Sequence, residues 1–167
     1  GFDVRFTGRM LEVTLGPGIL SRNYDGLQND LDKMTGIFLK RGEYTSPLDE
    51  NKIWGFIPLA KPGDNVIAGD WLGEVEENDM PHKIMVPFNF TGSYKVKSVV
   101  KEGQYKINNV VAVLINNENK EVEVTMVQKW PVKIPIKAYT EKPRPFKLLE
   151  TGVRTIDTLN PIVEGGT

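Results

Sequence analysis

Short apolar runs alternate with turn-forming residues between about residues 43 and 128. The alternation predicts strands over residues 53–59, 71–76, 83–86, 91–100, 110–115 and 121–130. The stretches between them carry Pro-Gly-Asp, Asn-Asp, Thr-Gly, Glu-Gly and Asn-Asn-Glu-Asn, which are typical of turns. Because short strands follow one another at regular spacing, the pattern predicts an all-β module in the middle of the chain.

A weak internal repeat lies within this module. Residues 61–70 (KPGDNVIAGD) recur as residues 101–110 (KEGQYKINNV). Each copy predicts a turn, a two-residue strand, a second turn and then a longer strand, over residues 71–75 and 111–115. Two such copies predict a pseudo-symmetric sandwich of two small sheets.

The residues before the module have a different pattern. Residues 10–15 predict a strand that Gly16-Pro17-Gly18 ends. Asp25 is the expected cap of a short helix that Gly36 ends. One face of that helix carries apolar residues, which we interpret as core packing: Leu27, Leu31 and Met34. The first residue is Gly and residues 4–7 already have the pattern of a strand, so we expect the chain to be a piece of a longer protein.

The residues after the module change character again. Val132, Ile134 and Ile136 alternate with polar positions and predict a strand that returns from the module. We expect it to lie beside a strand near residues 37–40, and the Pro-rich stretch that follows predicts an extended linker. Residues 148–167 predict a short helix, capped by Thr151, with too little apolar surface to fold alone.

Composition and charge exclude several classes of protein. The chain has no Cys and one His, His82, which excludes disulfides, thiolate zinc sites, cysteine nucleophiles and multi-histidine metal sites. With 21 Lys and Arg against 22 Asp and Glu, the chain lacks the basic footprint of a non-specific DNA-binding protein. No apolar run approaches the roughly 18 residues that a membrane span needs. We therefore expect a soluble, cytosolic chain.

The charges are nevertheless unevenly distributed. Residues 43–80 hold nine acids against two lysines, a net charge of −7, whereas residues 129–147 hold six bases against Glu141, a net charge of +5. Either the two segments face each other, or they face partners, or they are ordinary solvated surface.

Few residues are candidates for chemistry. None of the common phosphate-binding or catalytic motifs is complete. Asp64 and Asp70 form a possible carboxylate pair, but their Gly-Asp settings favour a role as turn formers. His82 follows Pro81 at the entrance of a strand and is interpreted as a surface or packed histidine rather than a base.

Many ordered blocks resemble the catalytic A subunit of the vacuolar and archaeal-type rotary ATPases. They cover nearly the whole chain: residues 15–20 (LGPGIL), 24–28 (YDGLQ), 40–42 (KRG), 54–56 (WGF), 63–64 and 69–70 (both GD), 82–87 (HKIMVP), 125–132 (TMVQKWPV), 151–161 (TGVRTIDTLNP) and 165–167 (GGT). In that family the last block runs directly into the Walker A loop. The resemblance implies a mainly β, barrel-sandwich-like bulge module with short flanking strands and two short helices from the host nucleotide-binding domain.

The same resemblance implies a domain organisation and a function. Residues 1–41 would be the N-terminal flank, 42–130 the inserted bulge, and 131–167 the return strand, the Pro-rich linker and the start of the nucleotide-binding domain. The whole subunit would couple ATP turnover to H⁺ or Na⁺ transport, with ATP and Mg²⁺ bound outside this chain, to which no catalytic, cofactor or metal residue is assigned. Its partners would be the B subunits and the peripheral stalk, and its location cytoplasmic and peripheral on the membrane. The coupled ion and the direction of the reaction stay open.

Residues 60–115 also resemble biotinyl and lipoyl carrier domains. Those modules consist of two quasi-symmetric halves with the modified lysine on a hairpin between them, and Lys83 lies between the halves here. Lys83 is followed at once by the strand-like Ile84-Met85-Val86, unlike the exposed lysine of that family. A carrier domain that uses Lys83 is therefore the alternative interpretation.

Overall fold

The computed structural model describes residues 8, 10–20, 22–34, 42, 44–138, 141 and 144–164. The strands and helices run, in chain order, β1 (Glu12–Leu15), a 3₁₀-helix (Leu31–Lys33), β2 (Ile53–Pro58), β3 (Asn65–Val66), β4 (Trp71–Glu77), β5 (Met80–Met85), β6 (Tyr94–Val99), β7 (Gly103–Lys106), β8 (Val110–Ile115), β9 (Glu121–Thr125), β10 (Gln128–Pro131), β11 (Leu148–Leu149), α1 (Arg154–Leu159) and β12 (Ile162–Val163). The prediction of a mainly β chain is confirmed. In the part of the chain that is described, no helix is long and apolar enough to cross a membrane.

The central module consists of two four-stranded antiparallel sheets. Sheet A has the strand order β5-β4-β2-β7, and sheet B has the order β3-β6-β8-β9. The two orders are equivalent by symmetry. When the strands of the first half (β2, β3, β4 and β5) are exchanged with those of the second half (β6, β7, β8 and β9), the order of sheet A becomes that of sheet B. Each half of the repeat therefore contributes three strands to one sheet and its short second strand to the other. The predicted pseudo-symmetric pair of sheets is confirmed.

The two halves also exchange core residues. A β-bulge interrupts β4 between Trp71 and Gly73, and a corresponding bulge interrupts β8 between Val110 and Ala112. The residues at the bulges, Leu72 and Val111, are both fully buried, but each packs into the apolar cluster built mainly by the other half. Neither half therefore has a complete core alone, and burial of apolar surface is the main stabilising contribution to folding.

Two apolar clusters fill the space between the sheets. The first contains Leu48, Trp54, Phe56, Val75, Ile84, Ile107, Val111 and Met126. The second contains Val66, Leu72, Val86, Val96, Ala112, Leu114 and Val124. Gly73 makes this packing possible, since a Cβ at this position would lie 2.2 Å from Cζ of Phe56 and 2.8 Å from the carbonyl oxygen of Ile57.

The predicted helix after Asp25 is wrong within the described residues. The Asp25 carboxylate accepts the amides of Leu27 and Asn29 at 2.9 and 2.8 Å, and Gln28 has a φ of +62°. These features close a turn, which an α-helix cannot contain. Only the 3₁₀-helix at Leu31–Lys33 follows, and Gly36 lies outside the described residues.

The predicted return strand over Val132, Ile134 and Ile136 is also wrong. The last strand of this region, β10, ends at Pro131, and residues 132–134 form turns in which the Ile134 amide donates to the Pro131 carbonyl at 3.2 Å. The partner of β10 is β1, with Trp130 opposite Val13. The expected neighbour, residues 37–40, lies outside the described residues. The chain therefore returns from the module beside β1.

The last described segment forms a small unit of its own. β11 and β12 pair antiparallel, with Leu148 opposite Val163, and α1 lies between them. Thr151 does not occupy the cap position, which belongs to Val153. Leu148 is 58 % exposed and Leu159 is 82 % exposed. This segment accordingly buries little apolar surface.

Candidate functional site

A buried carboxylate joins the module to the segment that precedes it. Glu77 ends β4, is 3 % exposed, and accepts the amides of Gly18 and Leu20 on one oxygen, at 2.7 and 3.1 Å. Its other oxygen lies 2.7 Å from Nδ1 of His82. Glu77 and His82 are therefore joined by a hydrogen bond through this second oxygen.

The β4–β5 hairpin creates this arrangement. Asn78 and Asp79 have φ of +51° and +61°, the left-handed pair that a two-residue hairpin turn requires. The turn places Glu77 and His82 side by side. Gly18, whose amide donates to Glu77, has a φ of +97°. Sequence reasoning treated His82 as surface or packed and did not find Glu77. The sequence signal that could have identified Glu77 is its position two residues after Val75, which puts both side chains on the same, buried face of β4.

Asp64 and Asp70 are both used in turns. Asp64 accepts the Lys61 amide at 2.8 Å, and Asp70 accepts the Ile67 amide at 2.8 Å. In the second half of the repeat, Asn109, one residue before the position that the sequence repeat aligns with Asp70, accepts the Lys106 amide at 2.7 Å in the corresponding turn. These bonds confirm the interpretation of the two aspartates as turn formers.

Lys83 lies within a strand rather than at a hairpin tip. It is the register partner of Glu74 on β4, and its ammonium group forms an ion pair with the Glu74 carboxylate. The same group lies 4.8 Å from the centre of the Trp71 ring. The hairpin tip is formed instead by Asn78 and Asp79. The carrier-domain alternative therefore has no support in the structure.

A second polar cluster stabilises the segment before the module. Asp30, 1 % exposed, accepts from Arg22 at 3.0 Å, and the Lys33 ammonium lies 3.6 Å away. The hydroxyl of Tyr24 donates to the Pro47 carbonyl at 2.8 Å, and burial, followed by the nearby Asp30 charge, raises the pKa of Tyr24. The hydrogen bond from the Asn29 side chain is the main reason why the pKa of Asp25 is lowered. This cluster orders the chain before the first strand of sheet A.

An apolar groove of about 750 Å³ lies on the surface of the described residues. One wall is the turn around Ile67, and the other is the segment that contains Trp130 and Ile134. The Trp130 indole donates to the Ile134 carbonyl at 2.7 Å, which holds the second wall in place. Across the described residues, no three His, Cys, Asp or Glu side chains group as ligands for a metal ion.

The two-sheet topology agrees with a family match over the same residues. Residues 45–133 match the family described as ATPsynthase alpha/beta subunit barrel-sandwich domain. The chain belongs to this family. Its barrel-sandwich domain thus begins shortly before the buried Leu48 and ends just after β10, and the family prediction is confirmed.

Relatives extend the similarity beyond the barrel-sandwich domain to the flanking segments. The V-type ATP synthase alpha chain of Borrelia turicatae is 46 % identical over 170 residues, which cover 100 % of this chain and 30 % of the relative. That of Treponema denticola is 44 % identical over 170 residues, which cover 100 % of this chain and 29 % of the relative. The chain thus spans about three tenths of the length of these curated relatives.

Proposed function

We propose that this chain is part of the catalytic A subunit of a vacuolar/archaeal-type rotary ATPase, which couples ATP hydrolysis or synthesis to the transport of H⁺ or Na⁺. The observation that carries the proposal is the 46 % identity to a V-type ATP synthase alpha chain along the whole of this chain, including the flanks outside the barrel-sandwich domain. A similarity confined to residues 45–133 would support only a shared fold.

Within that subunit, the barrel-sandwich domain has a non-catalytic contact role. The polar groups that chemistry would need are already used in the fold. Asp64 and Asp70 accept amides within turns, Glu77 accepts two amides from the preceding segment, and Lys83 pairs with Glu74. A domain with its polar groups engaged in this way suits contact with other subunits rather than catalysis.

The proposal extends to partners, cofactors and location. The B subunits and the peripheral stalk are the proposed partners, and the complex places the subunit on the cytoplasmic side, peripheral to the membrane. ATP and Mg²⁺ are bound by another part of the whole subunit, where a phosphate-binding loop would hold the phosphates as phosphoryl transfer requires. No residue of this chain is assigned to that role.

The decisive experiment uses the whole encoded protein, purified through an affinity tag from its own cells. We expect the coding sequence after Thr167 to continue into a glycine-rich loop that ends in Gly-Lys-Thr. We also expect the tagged protein to co-purify with a second nucleotide-binding subunit and with stalk subunits, and the preparation to hydrolyse Mg-ATP. A whole protein that lacks the loop and purifies alone contradicts the proposal.

A matched calorimetric control uses the 167-residue chain alone. Titration of this chain with Mg-ATP is expected to release no heat of binding, because the loop that would cradle the phosphates is not among its residues. Saturable binding of Mg-ATP tighter than millimolar would contradict the proposal that the nucleotide site lies in another part of the subunit.

A further inference from the structure

The apolar groove beside the Ile67 turn has the size and the lining of a small-molecule site. Its volume of about 750 Å³ lies within the roughly 300–1,000 Å³ that is usual for such sites. Phe88 and Phe90 line it, and the Phe88 ring packs edge-on against Trp130, with ring centroids 5.7 Å apart. Ile67 and Ile134 also line it and are 55 % and 41 % exposed. The groove therefore concentrates exposed apolar and aromatic surface in one concave place.

Backbone contacts hold both walls of the groove. In the second wall, the Val132 amide donates to the Leu11 carbonyl at 2.9 Å, in addition to the bond between Trp130 and Ile134. In the first wall, the Gly69 amide donates to the Val86 carbonyl at 3.0 Å. The walls meet where a Cβ at Gly69 would lie 2.9 Å from the Cβ of Ala138. The groove is therefore formed before any ligand binds.

The pseudo-symmetry of the fold supplies an internal comparison. The turns at residues 67–70 and 106–109 correspond, because in each the last side chain accepts the amide of the first residue. The second position of these turns is Ala68 in one half and Ile107 in the other. Ile107 is 2 % exposed and belongs to the first apolar cluster, whereas Ala68 is half-buried and lines the groove. One half thus has a large buried side chain where the other has a small one beside an open groove.

The lining offers few polar side chains. Lys137 is its one charged residue, and Ser93 supplies its one hydroxyl group. Within the described ranges, Lys137 forms no ion pair and the Ser93 side chain forms no hydrogen bond. Because an ammonium group only donates hydrogen bonds, Lys137 suits a ligand that carries an acceptor, and best an anionic one.

The charges around the groove do not cancel that of Lys137. Asp64 and Asp70 are engaged, since each already accepts a backbone amide within its own turn. The charged residues that are part of the lining, or lie within three positions of it in sequence, are the bases Lys95, Lys129, Lys133 and Lys137 and the acids Asp64, Asp70 and Glu141. The balance is one positive charge, which a single carboxylate complements.

We propose that this groove binds a small-molecule carboxylate with a long apolar body, of the chemical class of fatty acids. The apolar body covers Ile67, Phe90 and Ile134, and the carboxylate pairs with Lys137. Burial of apolar surface supplies most of the affinity, and the ion pair fixes the orientation of the ligand. This inference goes beyond the proposed function and does not depend on it.

Calorimetric titration of the 167-residue chain tests the ligand class with three probes. Dodecanoate has the apolar body and the charge, dodecanol has the same body without the charge, and acetate has the charge without the body. We expect saturable one-to-one binding of dodecanoate, several-fold weaker binding of dodecanol and none of acetate. In amide NMR spectra, the shifts caused by dodecanoate should be confined to residues 67–69, 88–93 and 130–138.

Two variants separate the contributions of shape and charge. Ala68→Leu fills the groove and is expected to weaken both dodecanoate and dodecanol about tenfold or more. Lys137→Gln is expected to weaken dodecanoate about threefold to fivefold, as for an exposed ion pair, and to leave dodecanol unchanged. The matched controls are Ser98→Leu on the exposed side of β6 and Lys133→Gln outside the lining, and neither should change binding. Circular dichroism checks that each variant keeps its sheets.

The outcomes decide the inference without touching the proposed function. Equal affinity for dodecanoate and dodecanol, or unchanged binding by Ala68→Leu, overturns it. In the whole encoded protein, a photoactivatable fatty acid is expected to label peptides of the groove, and excess dodecanoate should block the labelling. Labelling of the 167-residue chain but not of the whole protein would mean that another segment of the subunit fills the groove, and it would also overturn the inference. The proposed function is tested separately, by assembly and by Mg-ATP hydrolysis.

Discussion

One oxygen of the Glu77 carboxylate accepts the amide of Gly18 at 2.7 Å, across 59 positions of sequence. The same oxygen accepts the Leu20 amide, and the other oxygen meets His82. A single buried side chain at the end of β4 thus satisfies two backbone donors of the Gly-Pro-Gly loop. This contact attaches the segment before the module to the end of β4 in sheet A.

Replacement of that carboxylate should be costly. Glu77→Ala leaves the amides of the half-buried Gly18 and the exposed Leu20 without their acceptor, and an unsatisfied buried donor costs about 1–3 kcal/mol. Because water can reach the Leu20 amide, we expect a loss of about 1–3 kcal/mol in the free energy of unfolding, measured by urea denaturation. Glu76→Ala, on the exposed side of the same strand, is the control and should change it by about 0.5 kcal/mol or less. Equal midpoints for the two variants would contradict the role assigned to Glu77.

The close packing at Gly73 gives a second prediction. Gly73→Ala places a Cβ 2.2 Å from the Phe56 ring, so the core must move. We expect a loss of about 2 kcal/mol or more, since overpacking costs roughly 1–3 kcal/mol. Gly55→Ala on β2 is the matched control, because its Cβ would be no closer than 3.7 Å to another side chain. A Gly73→Ala variant that unfolds at the wild-type midpoint would show that this contact is not tight.

The corresponding turns of the two halves predict which substitutions Asp70 tolerates. Asn109 accepts a backbone amide in the turn that corresponds to that of Asp70, so an amide oxygen is sufficient there. Asp70→Asn should therefore unfold like the wild type, whereas Asp70→Ala should lose about 1 kcal/mol, as at other positions where a side chain accepts a backbone amide. Asn109→Ala should lose a similar amount. If Asp70→Asn were as unstable as Asp70→Ala, the carboxylate would have a role beyond the turn.

The segment around α1 should depend on acid pH. The Asp157 carboxylate accepts the Thr151 hydroxyl at 2.6 Å and the Gly152 amide at 3.1 Å, and the hydroxyl bond is the main reason why its pKa lies below the ordinary 3.8. Its stabilising contribution is complete above pH 3.8 and is lost as the pH falls through the lower value of the folded state.

The measurement for this prediction is amide exchange of Thr151 and Gly152 against pH. Protection in the wild type should fall below pH 3.8, and Asp157→Asn should remove that response. Glu150→Gln is the control, because no hydrogen bond of its carboxylate is found among the described residues. A response that persists in Asp157→Asn would assign the pH dependence to another group.

The strands of the module could be predicted because their determinants are local. Alternation of apolar residues and the turn residues between them predicted β2, β4 and β8 nearly at their observed bounds. The turn role of Asp64 and Asp70 followed from the neighbouring glycines, since an aspartate in such a turn bonds its own backbone. The repeat of residues 61–70 in residues 101–110 predicted the two sheets.

Other features depend on contacts between distant parts of the chain. The apolar spacing of Leu27, Leu31 and Met34 predicted a helix, yet Asp25 closes a turn there and the segment is held by its polar network. Val132, Ile134 and Ile136 alternate like a strand, but the chain has already paired with β1 and turns after Pro131. A periodic pattern shows which residues are apolar, but it does not determine which segment of the chain they pack against or pair with.

The sequence by itself therefore determined the family, the mainly β class and the pseudo-symmetry, because these rest on blocks of residues and on local alternation. Only the tertiary structure decided the exchange of β3 and β7 between the sheets, the burial of Glu77 beneath Gly18 and Leu20, and the groove that Ala68 and Trp130 line together. Each of these depends on long-range pairing. The same residue types are compatible with either face of a strand until register and sheet order are set.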